Sequence, residues 1–98
     1  MAAEIEFDWD EANRNHLAAH DVQPEEFEQV FKYPRFETRQ RRKNEERVWC
    51  LGRTDNDRLL TAVYTERNGR IRAVTAHTTK RKYRRFYVEA IEAQGKKD

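Results

Sequence analysis

Residues 71–87 read IRAVTAHTTKRKYRRFY, and the period of the chain changes in the middle of this stretch. Its first part alternates like a strand. Arg70, Arg72, Val74 and Ala76 fall on one face, and Ile71, Ala73, Thr75 and His77 on the other. Thr78 and Thr79 are good helix N-caps. Beyond them Tyr83, Phe86, Tyr87, Ala90 and Ile91 recur at helical spacing. A strand that runs straight into a helix excludes all-helical and all-β architectures. The junction also carries Lys80, Arg81, Lys82, Arg84 and Arg85. A helix N-terminus has partial positive charge and favours acids by roughly 0.3–1 kcal/mol each. Cations there oppose folding mildly, so a polyanion is a natural reason for them. A solvated basic face is the plainer reading of a charge run.

The remaining elements follow from similar signals. Residues 4–7 suit a short edge strand. Asp8 or Asp10 caps a first helix, with Trp9, Ala12, Asn13, His16, Leu17 and His20 on one face, running to about His20. Pro24, Glu25 and Glu26 open a second helix whose buried stripe is Phe27, Val30 and Phe31, and Pro34 ends it. Residues 36–42 are polar enough for an edge strand, and 39–47 read as a charged hairpin or loop. Better strands lie at 47–53 and 58–66, with turn chemistry at 54–57. Asn68-Gly69 is a hairpin turn into the strand from Ile71. The last helix spans about 79–93, and 94–98 form a polar tail. The predicted fold is α+β: two N-terminal helices, a three- to four-stranded antiparallel sheet and a C-terminal helix, with the helices on one sheet face. One domain occupies 7–93.

Ninety-eight residues that are 37% hydrophobic and 39% charged support only a thin core, rich in aromatics. The net charge of +2 conceals an asymmetry. Residues 1–34 hold nine acids and two bases, a balance of −7, whereas 35–98 hold eighteen bases and nine acids, a balance of +9. That pattern suits nucleic-acid binding, or attraction between the two halves. No stretch is apolar enough for a transmembrane helix, and residues 1–6 do not resemble a signal peptide. The lone Cys50 excludes an intrachain disulfide and fits a reducing cytoplasm.

Metal chemistry has little support. His16 and His20 are four apart but lack a glutamate between them and a third ligand. No phosphate-binding glycine loop or nucleophile elbow occurs, and no cofactor is expected. What remains is a set of cations with one imidazole and nearby phenols: Glu66, Arg67, Arg72, His77, Lys80 and Tyr83. These groups suit cleavage of RNA by its own 2′-hydroxyl, which needs a base, an acid and cations on the phosphorane. Histidine handles protons near neutral pH, and a tyrosine can stack an unpaired base. The same residues also fit a non-catalytic nucleic-acid binder or a protein-interaction module.

Several spaced motifs together resemble the BrnT family of toxins from type II toxin–antitoxin pairs. They are Phe7-Asp8-Trp9-Asp10-Glu11-Ala12 with Asn13 and His20; Phe27-Glu28 with Val30-Phe31 and Pro34; Glu46-Arg47 with Gly52; Tyr64-Thr65-Glu66-Arg67; and Ile71-Arg72 with Val74 and Ala76. The resemblance covers 7–87. It implies a RelE-like ribonuclease fold, RNA cleavage that arrests translation, a ribbon-helix-helix antitoxin called BrnA, and operator DNA bound only through that antitoxin. The site expected from these residues has Glu66, Arg67, Arg72 and His77 as catalytic groups, and Lys80, Arg81, Tyr83 and Arg84 on the RNA. Two departures stand out. The family's Lys-His-Gly is here Ala19-His20-Asp21, and its Ser-Ala-Arg is Thr75-Ala76-His77. The second makes an inactive, DNA-binding corepressor subunit the alternative reading.

Overall fold

The computed structural model describes residues 4–95. Helix α1 (Glu11–Ala18) starts at Asp10. The Asn13 N–H donates to Asp10 Oδ1, and the Asp10 N–H donates back to Asn13 Oδ1, both at 2.9 Å. Asn13 also donates from Nδ2 to the Asp8 carbonyl, so this buried polar side chain is satisfied. The helix stops before His20. Asp21 takes a left-handed conformation (φ 59°), and the Val22 N–H then reaches the Leu17 carbonyl at 3.0 Å. Helix α2 (Pro24–Gln29) continues into a single 3-10 turn, Val30–Lys32.

Four strands follow: β1 (Phe36–Arg42), β2 (Glu45–Arg53), β3 (Leu59–Arg67) and β4 (Arg70–Thr78), paired antiparallel in chain order. Of the charged hairpin or loop expected at 39–47, the hairpin forms, paired through to a two-residue turn. Lys43 and Asn44 both have positive φ (48° and 66°), the geometry whose twist matches a hairpin. Asn68 (55°) and Gly69 (76°) make the same turn between β3 and β4. The N-terminal segment adds beside β4: the Asp8 N–H donates to the Ile71 carbonyl, and the Ile71 N–H to that of Glu6.

The sheet is covered on both faces, not on one. Val48 and Cys50 of β2, Leu60, Ala62 and Tyr64 of β3, and Ala73 and Ala76 of β4 form the larger core with Leu17, Phe27 and Val30. On the reverse face Leu51 and Leu59 meet Tyr87 and Ile91 of α3 (Arg84–Gly95). Alternation along β2 makes both cores from one strand, because Cys50 and Leu51 point oppositely.

Strand β4 departs from strict alternation. Tyr64 pairs with Ala73 and Val63 with Thr75, so Val74 is an extra residue. This bulge reverses the faces beyond it. Ile71 and Ala73 share the larger core with Ala76, whereas Arg72, Thr75 and His77 lie on the reverse face. The predicted grouping of His77 with Ile71 and Ala73 is therefore corrected. The helix start is corrected too. Thr79 is buried and hydrogen-bonded to Thr61 (Oγ to Oγ 2.7 Å), and α3 begins only at Arg84, after a 3-10 turn, Arg81–Tyr83. Of the five predicted stripe residues only Tyr87 is buried; its hydroxyl donates to the Pro34 carbonyl at 2.7 Å. Gln94 and Gly95, assigned above to a polar tail, belong to α3, and the rest of that tail lies outside the described residues.

Candidate active site

Helix α3 covers only the Phe36–Leu51–Leu59 end of the reverse face. Further along, Thr38, Trp49, Val63 and Thr75 remain half-buried. A groove of about 460 Å³ opens where the sheet meets the chain entering α3. Trp49, Leu51 and Thr61 form its floor. His77, Thr79, Tyr83 and Phe86 complete the lining, and the two aromatics are each 46% exposed. His77 is placed here by register, directly opposite Thr61.

His77 Nδ1 lies 3.2 Å from the Thr78 carbonyl. A carbonyl only accepts, so this contact requires the proton on Nδ1 and leaves a lone pair on Nε2 of the neutral ring. Lys80 adjoins the same cleft with Thr61, His77 and Tyr83. Among the described residues, Lys80, Arg81 and Lys82 make no ion pair. The ammonium of Lys82 sits 5.2 Å from the Tyr83 ring centroid. Arg84 is engaged elsewhere: it donates to the Asp57 carbonyl and meets its carboxylate, each at 2.8 Å, tying α3 to the turn after β2.

The other expected site residues lie at the far end of the sheet. Arg72 shares the reverse face with His77, but its guanidinium holds Asp10 at 2.5 Å and Asp8 at 3.6 Å. The Asn13 N–H, with Arg72 behind it, keeps the Asp10 carboxyl below its ordinary pKa. Arg67 pairs across from Arg70, which meets Glu6 at 3.2 Å. Glu66 pairs with Ile71 and His77 with Thr61, five residues apart along β3, or about 17 Å at strand spacing. Glu66 also points to the opposite face, beside Arg39, Glu46 and Val48. The structure thus brings His77, Lys80 and Tyr83 together, and does not bring Glu66 to His77.

Sequence reasoning missed Trp49, Thr61, Thr79 and Phe86 as groove residues. Alternation along β2 and β3 put Trp49 and Thr61 on one face, but nothing in the sequence marked that face as partly open. Arg47 lines a separate cleft with Arg42, Lys43 and Glu45, whose carboxylate is 3.5 Å from its Nε. It lies on this face two residues from Trp49, and its Nε is buried with no hydrogen-bond partner. His16 of α1 and His20 in the turn beyond it are exposed, with ring centroids 5.9 Å apart, and His20 is 6.0 Å from His77. Among the described residues no cluster of three His, Cys, Asp or Glu side chains is arranged to hold a metal.

A family model described as "ribonuclease toxin, BrnT, of type II toxin-antitoxin system" matches residues 9–82. The chain belongs to the BrnT family. Comparison with curated proteins finds no match. Membership makes this a ribonuclease toxin family member, with RNA as the substrate class and an antitoxin as partner. The BrnT match takes in β4 and the basic residues 80–82, and ends one residue before Tyr83. Asp21, where the resemblance leads one to expect glycine, takes a left-handed conformation as an aspartate. No helix among the described residues is long and apolar enough to cross a membrane.

Proposed function

We propose that this BrnT family member is an endoribonuclease toxin that cleaves RNA without a metal ion. One observation carries the reading: an imidazole with an available Nε2 stands at an aromatic groove beside three cations with no ion-pair partner among the described residues. In this mechanism Nε2 of His77 takes the proton of a 2′-hydroxyl. The 2′-oxygen attacks the adjacent phosphorus, and the 5′-oxygen leaves with a proton from solvent, giving a 2′,3′-cyclic phosphate. Lys80 and Arg81 stabilise the charge that develops on the phosphorane. Arg67 and Arg72 lie too far along the sheet to share that phosphate. Arg84 anchors α3, and Glu66 takes no part in proton transfer.

Cleavage of messenger RNA would arrest translation in the cytoplasm. A BrnA-like ribbon-helix-helix antitoxin would neutralise the toxin by covering the partly open sheet face, and operator DNA would be reached only through it. One feature favours the second reading, an inactive corepressor subunit: Arg72 is already neutralised by Asp8 and Asp10.

Single-turnover cleavage of a short RNA in EDTA separates the two. The expected result is cleavage that falls about 10²-fold in His77→Ala with little change in affinity. Binding without cleavage by the unaltered protein would establish the corepressor reading instead.

A further inference from the structure

The groove between Trp49 and Phe86 has features that a phosphate-binding surface does not need. Three aromatic side chains border it, two of them about half exposed, although burying such rings is worth roughly 1.5–3 kcal/mol. Phe86 is held upright by an edge-on contact with Phe36, at 5.2 Å between centroids and 80° between planes. The Thr61 and Thr79 hydroxyls share one hydrogen between them, leaving a second O–H and further lone pairs for another polar group. The volume, about 460 Å³, lies within the usual range of roughly 300–1,000 Å³ for small-ligand sites. Lys80, Arg81 and Lys82 precede the Tyr83 wall.

We propose that this groove is a nucleobase pocket. It takes one unpaired base from single-stranded RNA, stacked against Tyr83 and Phe86 with its edge toward the Thr61–Thr79 pair. Aromatic walls with a small polar floor and a basic rim match a base attached to an anionic backbone. They match an antitoxin segment less well, because the rim would then need acids beside every anchor. Because His77 is part of the same groove, the captured base belongs to the nucleotide whose 2′-hydroxyl loses its proton and attacks the adjacent phosphorus; this placement alone rests on the ribonuclease reading. The groove then selects where cleavage occurs, and restricts it to unpaired nucleotides, since a paired base cannot enter. Tyr83 and Phe86 lie beyond the residues matched by the family, so membership by itself does not assign them.

The test uses a short oligoribonucleotide carrying 2-aminopurine at each position in turn, with a 2′-deoxy sugar there to prevent cleavage. Stacking on aromatic rings quenches this base. The expected result is strong quenching at one position, absent when the oligonucleotide is in a duplex. Tyr83→Ala and Phe86→Leu should each weaken binding about 10-fold and restore the fluorescence. Val88→Ala, an exposed apolar change on α3 away from the groove, should do neither. Phe86→Leu retains apolar bulk beside Phe36, and circular dichroism verifies its fold. Unchanged affinity and quenching in both aromatic variants overturn the proposal. So does a loss confined to antitoxin binding, which would make the groove a protein-docking site. Quenching without cleavage of the matching all-ribose oligonucleotide by the unaltered protein would keep the pocket and remove the enzyme; cleavage of it without quenching would do the reverse.

Discussion

Gly52 shows how one residue can set the spacing between two layers. It lies in β2 opposite Leu60, under the 3-10 turn that follows α2. A Cβ there would stand 2.6 Å from Val30 Cγ1 and 3.3 Å from Arg35 Cβ. Val30 is fully buried and stiff about χ1, so it cannot swing away. Gly52→Ala should therefore destabilise the protein by about 1–3 kcal/mol through overpacking, measured as a lower denaturant midpoint. A midpoint equal to that of the unaltered protein would mean that the turn above the sheet moves freely. Cys50, two residues earlier, is inert by comparison: burial pushes its thiol up to about 12, so little thiolate exists near neutral pH.

At the scale of elements, the segment between β4 and α3 is the informative one. Its three cations, Lys80 at the cap and Arg81 and Lys82 in the 3-10 turn, precede the helix proper, exposed and without ion-pair partners among the described residues. Exposed charges contribute little to stability. Replacing Lys80, Arg81 and Lys82 together with alanine should therefore leave thermal stability within about 1 kcal/mol. RNA affinity should fall, and its dependence on salt should become shallower, because fewer counterions are released on binding. The slope of log affinity against log salt decides the matter, and a slope equal to that of the unaltered protein would remove this segment from the interface.

The whole molecule is held together partly by the attraction between its acidic front and its basic remainder. Asp10 meets Arg72, and Glu26 meets Arg58 at 2.9 Å, across that divide, while Asp55 of the remainder meets Lys32 and Tyr33 of the front in the reverse sense. All three carboxyls sit below their ordinary values. The Asn13 N–H and then Arg72 lower Asp10. Burial alone would raise Glu26, but the Gln23 N–H and Arg58 outweigh it. Tyr33 and Lys32 lower Asp55. Folded values depressed below unfolded ones mean that the stabilisation is fully present above the unfolded values of 3.8 and 4.5. It is lost as pH falls through the lower folded values. Denaturant midpoints should be nearly level from about pH 5 to 7 and decline below about pH 4, and Asp10→Asn should make that decline shallower. A midpoint level down to pH 3 would show these pairs to be solvated decoration.

Local chemistry was enough to place most of the chain. The Asp10 cap, Pro24 at a helix start, the Asn68-Gly69 turn and the β-forming residues of β2 and β3 each act over a few residues, and each element appeared where these signals put it. Lys43-Asn44 was less legible, because lysine gives no hint of a positive φ; only the pairing of its flanking strands imposes one. Motif order pointed to the family in the same way, since spacing survives in a one-dimensional record. The faces of the sheet were decided in three dimensions. Alternation states which side chains lie together but not which face is covered, and one unpaired residue, Val74, inverted the answer for His77. Glu66 and His77 belong to adjacent strands, yet antiparallel register puts them at opposite ends of the sheet. The groove formed by Trp49, Thr61, Tyr83 and Phe86 joins three segments distant in sequence, so only tertiary packing could bring them together.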